Sequence, residues 1–322
     1  MNKPLIRSTS YRGVNTTIAF VGVVIFFALF TPNHLFVNGR NLASIARLAP
    51  DLGIVALGIG MLLIAGEFDL SISSILPFCA FIFALLMEAG MYPLAALIIT
   101  LPVGAVMGLL NGIVVVKTGL PSFIITLSTM MFWRGVLFGI SRMMPRSLNR
   151  YFPENELFQN VFTGNIGPIP VQIIWLFGLA LVLGLVLHKH KFGNWVFSVG
   201  SNQEAARAMG VNVGLVKILL YVLIGVLCAF VSIMQATRLG SFAATQGTRF
   251  ELQAIAAVVV GGTSLRGGSG SMWGILLGLL IVKALENGLI LMRVPVFGVE
   301  TFIGMAVIVF VILNEFLNRR TE

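Results

Sequence analysis

Charge is what this 322-residue chain has least of. Asp, Glu, Lys and Arg make up 10% of it, against about a quarter in an average soluble domain. So few charges cannot clothe a water-soluble surface, which excludes a soluble enzyme and a disordered chain. Cysteine is almost missing: Cys79 and Cys228 sit far apart in apolar runs, which argues against a disulfide framework and a cysteine metal site. Histidine is confined to His34, His188 and His190. None stands at ligand spacing from other donors, and no Ser/His/Asp grouping is visible. A long polar stretch is also lacking. Ten membrane spans at about 20 residues each would use about 200 residues, and the remainder is scattered over termini and loops. No room is left for a soluble catalytic or nucleotide-binding domain.

What is abundant is apolar: hydrophobic residues make up 57%. The pattern predicts an all-α, polytopic membrane protein of about ten transmembrane helices, with 1–322 forming a single transmembrane domain. Spans are expected near 17–31, 52–65, 72–88, 93–116, 123–141, 170–187, 215–236, 251–265, 272–291 and 297–317. The second and eighth are short for a full crossing. The run after Lys3, Arg7 and Arg12 ends in Thr31-Pro32-Asn33 without a small-x-small cleavage site, so it reads as a retained first helix.

The formal net charge of +9 reads as a topology signal and not as a nucleic-acid surface. Lys3, Lys117, Lys189 and Lys191 all fall on the side of the two termini, and Glu154 and Glu156 fall on the other. Both termini are therefore expected inside. Two loops are long: 142–169 outside and 188–214 inside.

The inside loop is the most informative segment. Ser201 and Glu204 have the S-x-x-E spacing of a capping box, and Gly210 suits a helix stop. A short helix is expected over about 202–209. Ala205, Ala206 and Ala208 keep its faces small, leaving Glu204 and Arg207 for polar contacts. A helix that merely rests on a membrane surface would carry bulky apolar anchors and several lysines, so docking to a partner is the better reading.

The two chain breaks at Gly66-Glu67-Phe68-Asp69-Leu70-Ser71 and Gly261-Gly262-Thr263-Ser264-Leu265 each lie between apolar runs. Aligning Leu70 with Leu265 suggests that spans one to four and seven to ten are duplicated units of the same orientation. Interrupted segments at corresponding positions are what transporters place around a substrate path. Asp69 or Ser71 would cap the third helix, while Glu67 reads as a costly charge at membrane depth, and a cation site is one explanation for it. The stretch 261–271 lacks the Gly-Lys-Ser/Thr ending of a phosphate loop, so its glycines read as turn and packing residues. Lys283 and Glu286 are placed to neutralise each other on one helix face. Asn111 would either line a polar path or bond between helices.

These residues carry a resemblance. Gly66-Glu67-Phe68-Asp69-Leu70-Ser71 resembles the Gly-Gly-Ile-Asp-Leu-Ser segment of permease subunits of ribose-type bacterial ABC importers. Phe123-Ile124-Ile125-Thr126-Leu127, the region 200–213 and the stretch 250–265 are similar to further segments of that family. Glu67 and Phe68 depart from its pattern, where Gly and Ile are usual.

The resemblance implies a multi-pass subunit of the bacterial inner membrane, surrounded by lipid. It would pair with a second permease chain, identical or homologous. Two ATPase domains, separate or fused, would bind ATP and Mg; this chain would bind no cofactor and catalyse nothing. A periplasmic binding protein would deliver a monosaccharide. The candidate coupling residues are Ser201, Asn202, Glu204, Ala205, Ala206, Arg207 and Gly210. The candidate path residues are Gly66, Glu67, Asp69, Asn111, Gly261 and Gly262. Rival readings are import of a nucleoside or branched-chain amino acid, and a cation-coupled secondary transporter that uses Asp69 and Glu67.

Overall fold

A computed structural model describes residues 6–152 and 156–319. Lys3, Pro153, Glu154 and Arg320 lie outside the described residues. The elements in chain order are α1 (Ile6–Phe30), α2 (Gly39–Ile64), α3 (Ile72–Glu88), α4 (Pro93–Thr118), α5 (Ser122–Ser141), α6 (Glu156–Thr163) and α7 (Val171–Lys189). They continue with α8 (Lys191–Ser201), α9 (Gln203–Ala208), α10 (Val213–Leu239), α11 (Phe250–Val260), α12 (Met272–Leu291) and α13 (Val296–Arg319). Two-residue strands occur only as short staples, β1 (Arg146–Ser147) with β4 (Ser241–Phe242) and β2 (Asn165–Ile166) with β3 (Ile169–Pro170). The chain is all-α, and α2, α4, α5, α7, α10 and α12 are long and apolar enough to cross a membrane. Shorter apolar stretches lie in α1, α3, α11 and α13.

Local chemistry explains where these helices begin and end. Pro93 opens α4, where its missing N–H costs nothing, and Gly119 closes it at φ 66°. Asn212 caps α10 by accepting from the Leu215 N–H at 3.0 Å, and Ser271 caps α12 by accepting from Gly274 at 3.0 Å.

The second helix differs from expectation. It starts at Gly39 and runs for 26 residues through Pro50 and Asp51. The apolar run marks only its second half, because the first half carries Arg40, Asn41, Arg47, Pro50 and Asp51. A distant partner makes this first half possible. Arg238, at the end of α10, pairs with Asp51 at 2.5 Å and donates to the Arg47 carbonyl at 2.7 Å.

α2 is the hub of the bundle. Every residue from Ala49 to Ile64 is buried, and α7, α10, α11 and α12 all pack on it. α5 instead turns Phe123, Ile124, Met131 and Phe132 outward, as a lipid-facing helix does. The closest helix pair is α4 against α10. Gly104, Gly108 and Gly112 form a stripe on α4 where any Cβ would strike the backbone or Cβ atoms of Gly225, Tyr221 and Ile218. With lipid on both sides of the comparison, helices associate through such close packing and not through the hydrophobic effect.

The ends of α2 and α11 share one closing geometry, which also ends α3, α9 and α12. Ala65, Gly66 and Glu67 donate to Met61, Leu63 and Leu62; Gly261, Gly262 and Thr263 donate to Ala257, Val259 and Val258. The two helix ends are therefore closed by the same bonds, with Gly66 at φ 83° and Gly262 at φ 85°. Gly66 corresponds to Gly262, one residue beyond the register that the leucines suggested. The packing is reciprocal too: α1 lies on α12, and α10 lies on α3. The first helix of each unit covers the third helix of the other.

Candidate functional site

The segment 188–214 folds as two helices, α8 and α9, and not as one. Ser201 ends α8 and does not cap α9. The cap is Asn202, whose Oδ1 accepts from Glu204 N and Ala205 N at 3.0 Å each. The S-x-x-E spacing was misleading because Asn is the stronger cap one position later. Gly210 does stop the helix, at φ 84°. Its N–H donates to Arg207 and that of Val211 to Ala206, closing the helix end.

Only Ala206 of α9 is buried. Glu204, Ala205, Arg207 and Ala208 are exposed, and Met209 beyond them is 71% exposed. α9 thus presents a small, mixed-charge face with one flexible apolar side chain at its end. Met209 was not singled out from sequence. An apolar residue beside a helix-stop glycine is ordinary, and only its exposure marks it.

Behind α9 the polar residues of the first break gather. Glu67 forms an ion pair with Lys217 of α10, and the Lys217 Nζ also donates to Gln203 Oε1 of α9 at 3.1 Å. The Phe68 N–H donates to Ser122 Oγ of α5 at 3.0 Å. Tyr221 of α10 donates its hydroxyl to the Phe68 carbonyl at 2.9 Å. Asp69 Oδ1 accepts from the Ser71 N–H at 2.8 Å and from its hydroxyl at 2.5 Å. Asn111 of α4 donates to Ser71 Oγ at 2.7 Å. Asp69 therefore holds the turn before α3, and Asn111 makes an interhelical bond. A cavity of about 600 Å³ opens beside this cluster, with Glu67, Ser122, Gln203, Arg207 and Lys217 in its wall.

The second break reaches the same place through backbone. Gly268 N–H donates to Ile64 O at 2.8 Å. Gly200 leaves no room for a Cβ between Ile64 O and Gly268 N, and Gly267 and Gly268 pack on Gly66 and Ser201. The ends of α2 and α8 and the turn after α11 meet at these glycines. Gly261 belongs to the crossing of α11 on α12, where its Cα faces the Gly274 backbone, and Gly262 lies beside Thr16 of α1. Among the described residues, no group of three His, Cys, Asp or Glu side chains stands together as metal ligands would.

The structure thus joins Gly66, Glu67 and Ser201 with α9, and joins Asp69 with Asn111. It keeps Gly261 and Gly262 at a separate helix crossing. Lys217, Gln203 and Gly200 were missed in sequence. Lys217 lay at the edge of an apolar run and read as topology, and nothing local pairs it with a residue 150 positions earlier. The α4 stripe did carry a signal, small residues at i, i+4 and i+8.

Comparison with known proteins adds relatives of the whole chain. Residues 41–314 match the family model described as branched-chain amino acid transport system / permease component. The ribose import permease protein of Escherichia coli (strain K12) is 34% identical, over 92% of this chain and 90% of its own length. That of Bacillus subtilis (strain 168) is 34% identical, over 91% and 89%. The xylose/arabinose import permease protein of Sulfolobus acidocaldarius is 30% identical, over 93% and 84%. No solved structure matches.

Proposed function

Because the chain belongs to the branched-chain amino acid transport system / permease component family, we propose that it is the membrane-spanning permease of an ABC importer for a monosaccharide. The relatives that match it along nine-tenths of its length are named for ribose and for xylose/arabinose, which favours a sugar over an amino acid or nucleoside. The observation that carries the coupling role is α9. Its exposed face offers Glu204, Ala205, Arg207 and Met209 to a partner, while its base is tied to the breaks of both repeats.

In this reading the ten apolar helices are crossings, with both termini in the cytoplasm. α11 has 11 residues and covers about 16 Å of a hydrocarbon core about 30 Å thick, so the segment before it completes that crossing. Asn202 and Gly210 fix the ends of α9, Ala206 seats it, and Ser201 joins it to α8. A cytoplasmic ATPase subunit or fused double ATPase grips that face and carries the ATP and Mg. Gly66, Glu67, Asp69, Asn111, Gly261 and Gly262 form the inner boundary of the solute path. A second permease chain completes the path, and a periplasmic protein supplies the sugar. The cation-coupled alternative is weakened at Glu67, which is engaged by Lys217.

Purification from the native membrane in gentle detergent, with mass spectrometry of what co-elutes, tests this. An ATPase subunit in stoichiometric amount is the expected result. The chain eluting alone while still supporting ion-driven uptake that Asp69→Asn abolishes would overturn it.

A further inference from the structure

α9 is a helix of six residues with one buried side chain, so it has little grip of its own on the bundle. Its backbone continues from α8, whose last turn is locked at Gly200. Its first residue, Gln203, is also held through its side chain. Gln203 Oε1 accepts from Lys217 Nζ at 3.1 Å, and the same ammonium pairs with Glu67 in the turn between α2 and α3. The Lys217 and Glu67 side chains are 12% and 9% exposed. An ion pair so largely enclosed is less screened than one at the surface, and removing one partner leaves a mostly buried charge without its counter-ion.

The same turn is bonded to α5 through Ser122, to α10 through Tyr221 and to α4 through Asn111 by way of Ser71. A displacement of α9 is therefore delivered, through one ammonium group, to a turn bonded to three helices. The cavity of about 600 Å³ alongside leaves this assembly space to shift without breaking close packing. The α8 route behaves differently, because its glycine contacts are backbone on backbone and have no free volume.

We propose that Lys217 is a positioning residue that transmits movement of α9 to the α2–α3 turn, and that Glu67 and Gln203 are its two attachment points. The inference rests on the ABC reading given above. In it, Lys217 touches neither sugar nor ATP. It sets how much of each ATPase stroke reaches the solute path.

The test reconstitutes the complete transporter in proteoliposomes and measures ATP hydrolysed per sugar imported. Lys217→Met and Glu67→Gln should each raise that ratio about fivefold or more, a typical size for one lost coupling contact, with the ATPase subunit still co-purifying. The reciprocal exchange of Glu67→Lys with Lys217→Glu should return the ratio to within about twofold of wild type. It keeps both attachments, because a Gln amide donates as readily as it accepts. An unchanged ratio in Lys217→Met, or an exchange no better than either single variant, overturns the proposal. If Lys217→Met does not assemble, Gln203→Ala decides. It leaves the ion pair intact and cuts only the link to α9, so a raised ratio supports the proposal and a wild-type ratio overturns it. Failure of the ABC reading itself would show separately, as absence of any ATPase subunit from the wild-type preparation.

Discussion

The turn at 65–71 and the turn at 261–271 leave their helices through the same three backbone hydrogen bonds, yet they are held in different ways. The first is held from outside. Glu67 is engaged by Lys217, Phe68 by Ser122 and Tyr221, and Ser71 by Asn111. The second folds largely on itself: Ser264 N–H donates to Ser269 O at 3.0 Å, Gly267 N–H to Ser264 O at 3.1 Å, and Ser271 caps the start of α12. Its outward links are the Gly268 N–H bond to Ile64 O and the approach of Gly267 and Gly268 to Gly66, Gly200 and Ser201. Two similar turns thus reach α8 and α9 by charge on one side and by absence of side chains on the other. Close backbone contact fixes a distance and yields little. An ammonium group between two acceptors fixes a partner while leaving the separation free to change. The two turns therefore suit different tasks, one as a pivot and the other as a link.

The largest effect is expected where the pivot has no space. Gly200→Ala would drive a Cβ into the Ile64 carbonyl and the Gly268 amide, neither of which is a flexible side-chain end. Overpacking of this kind costs about 3 kcal/mol. Membrane accumulation and the melting temperature of the purified chain should both fall. A melting temperature equal to wild type would mean that the three backbones do not meet there.

That pivot shows why only part of the molecule was legible in sequence. The all-α, apolar architecture followed from composition, and α4 was expected at 93–116 against an observed Pro93–Thr118. The first half of α2 escaped because its charges look like a loop until Arg238 is brought to Asp51 from 187 positions away. The α9 stop at Gly210 was legible because a left-handed helix end is a local matter. Gly200 and Lys217 were not, because their roles depend on which elements the fold brings beside them. Ser201 illustrates the converse error, where a local spacing matched a motif and the neighbouring Asn202 made the bonds.

The next contrast lies between the polar groups of the two turns. Asp69→Ala removes the acceptor for both the Ser71 N–H and its hydroxyl, where Asp69 and Ser71 are fully buried. Leaving such donors unsatisfied costs about 2 kcal/mol. Ser264→Ala removes the acceptor for the Arg266 N–H, which lies in an exposed loop where water replaces it, so the cost stays within about 0.5 kcal/mol. Thermal melts of the two variants in the same detergent compare them directly. Equal losses would contradict the assignment of one turn as externally held and the other as self-contained.

The smallest effect is the one that isolates what the two turns share. Gly66 and Gly262 have φ of 83° and 85°. A Cβ at Gly66 comes no nearer than 3.9 Å to the Gly200 Cα, and one at Gly262 no nearer than 3.8 Å to Thr16 Oγ1. Neither alanine meets a steric obstacle, so only backbone strain remains. Left-handed backbone costs an L-residue about 1–2 kcal/mol, and restricting the unfolded chain recovers about 0.4–1 kcal/mol. Gly66→Ala and Gly262→Ala should therefore each lose about 1 kcal/mol, and the two melting temperatures should agree. Sugar uptake should not agree. Strain at Gly66 displaces the neighbouring Glu67 and with it the attachment of Lys217, whereas strain at Gly262 falls beside α1, at a distance from α9. Equal stability with unequal transport would show that duplication preserved the turn while only the first copy acquired the link; equal transport would remove the distinction between link and pivot.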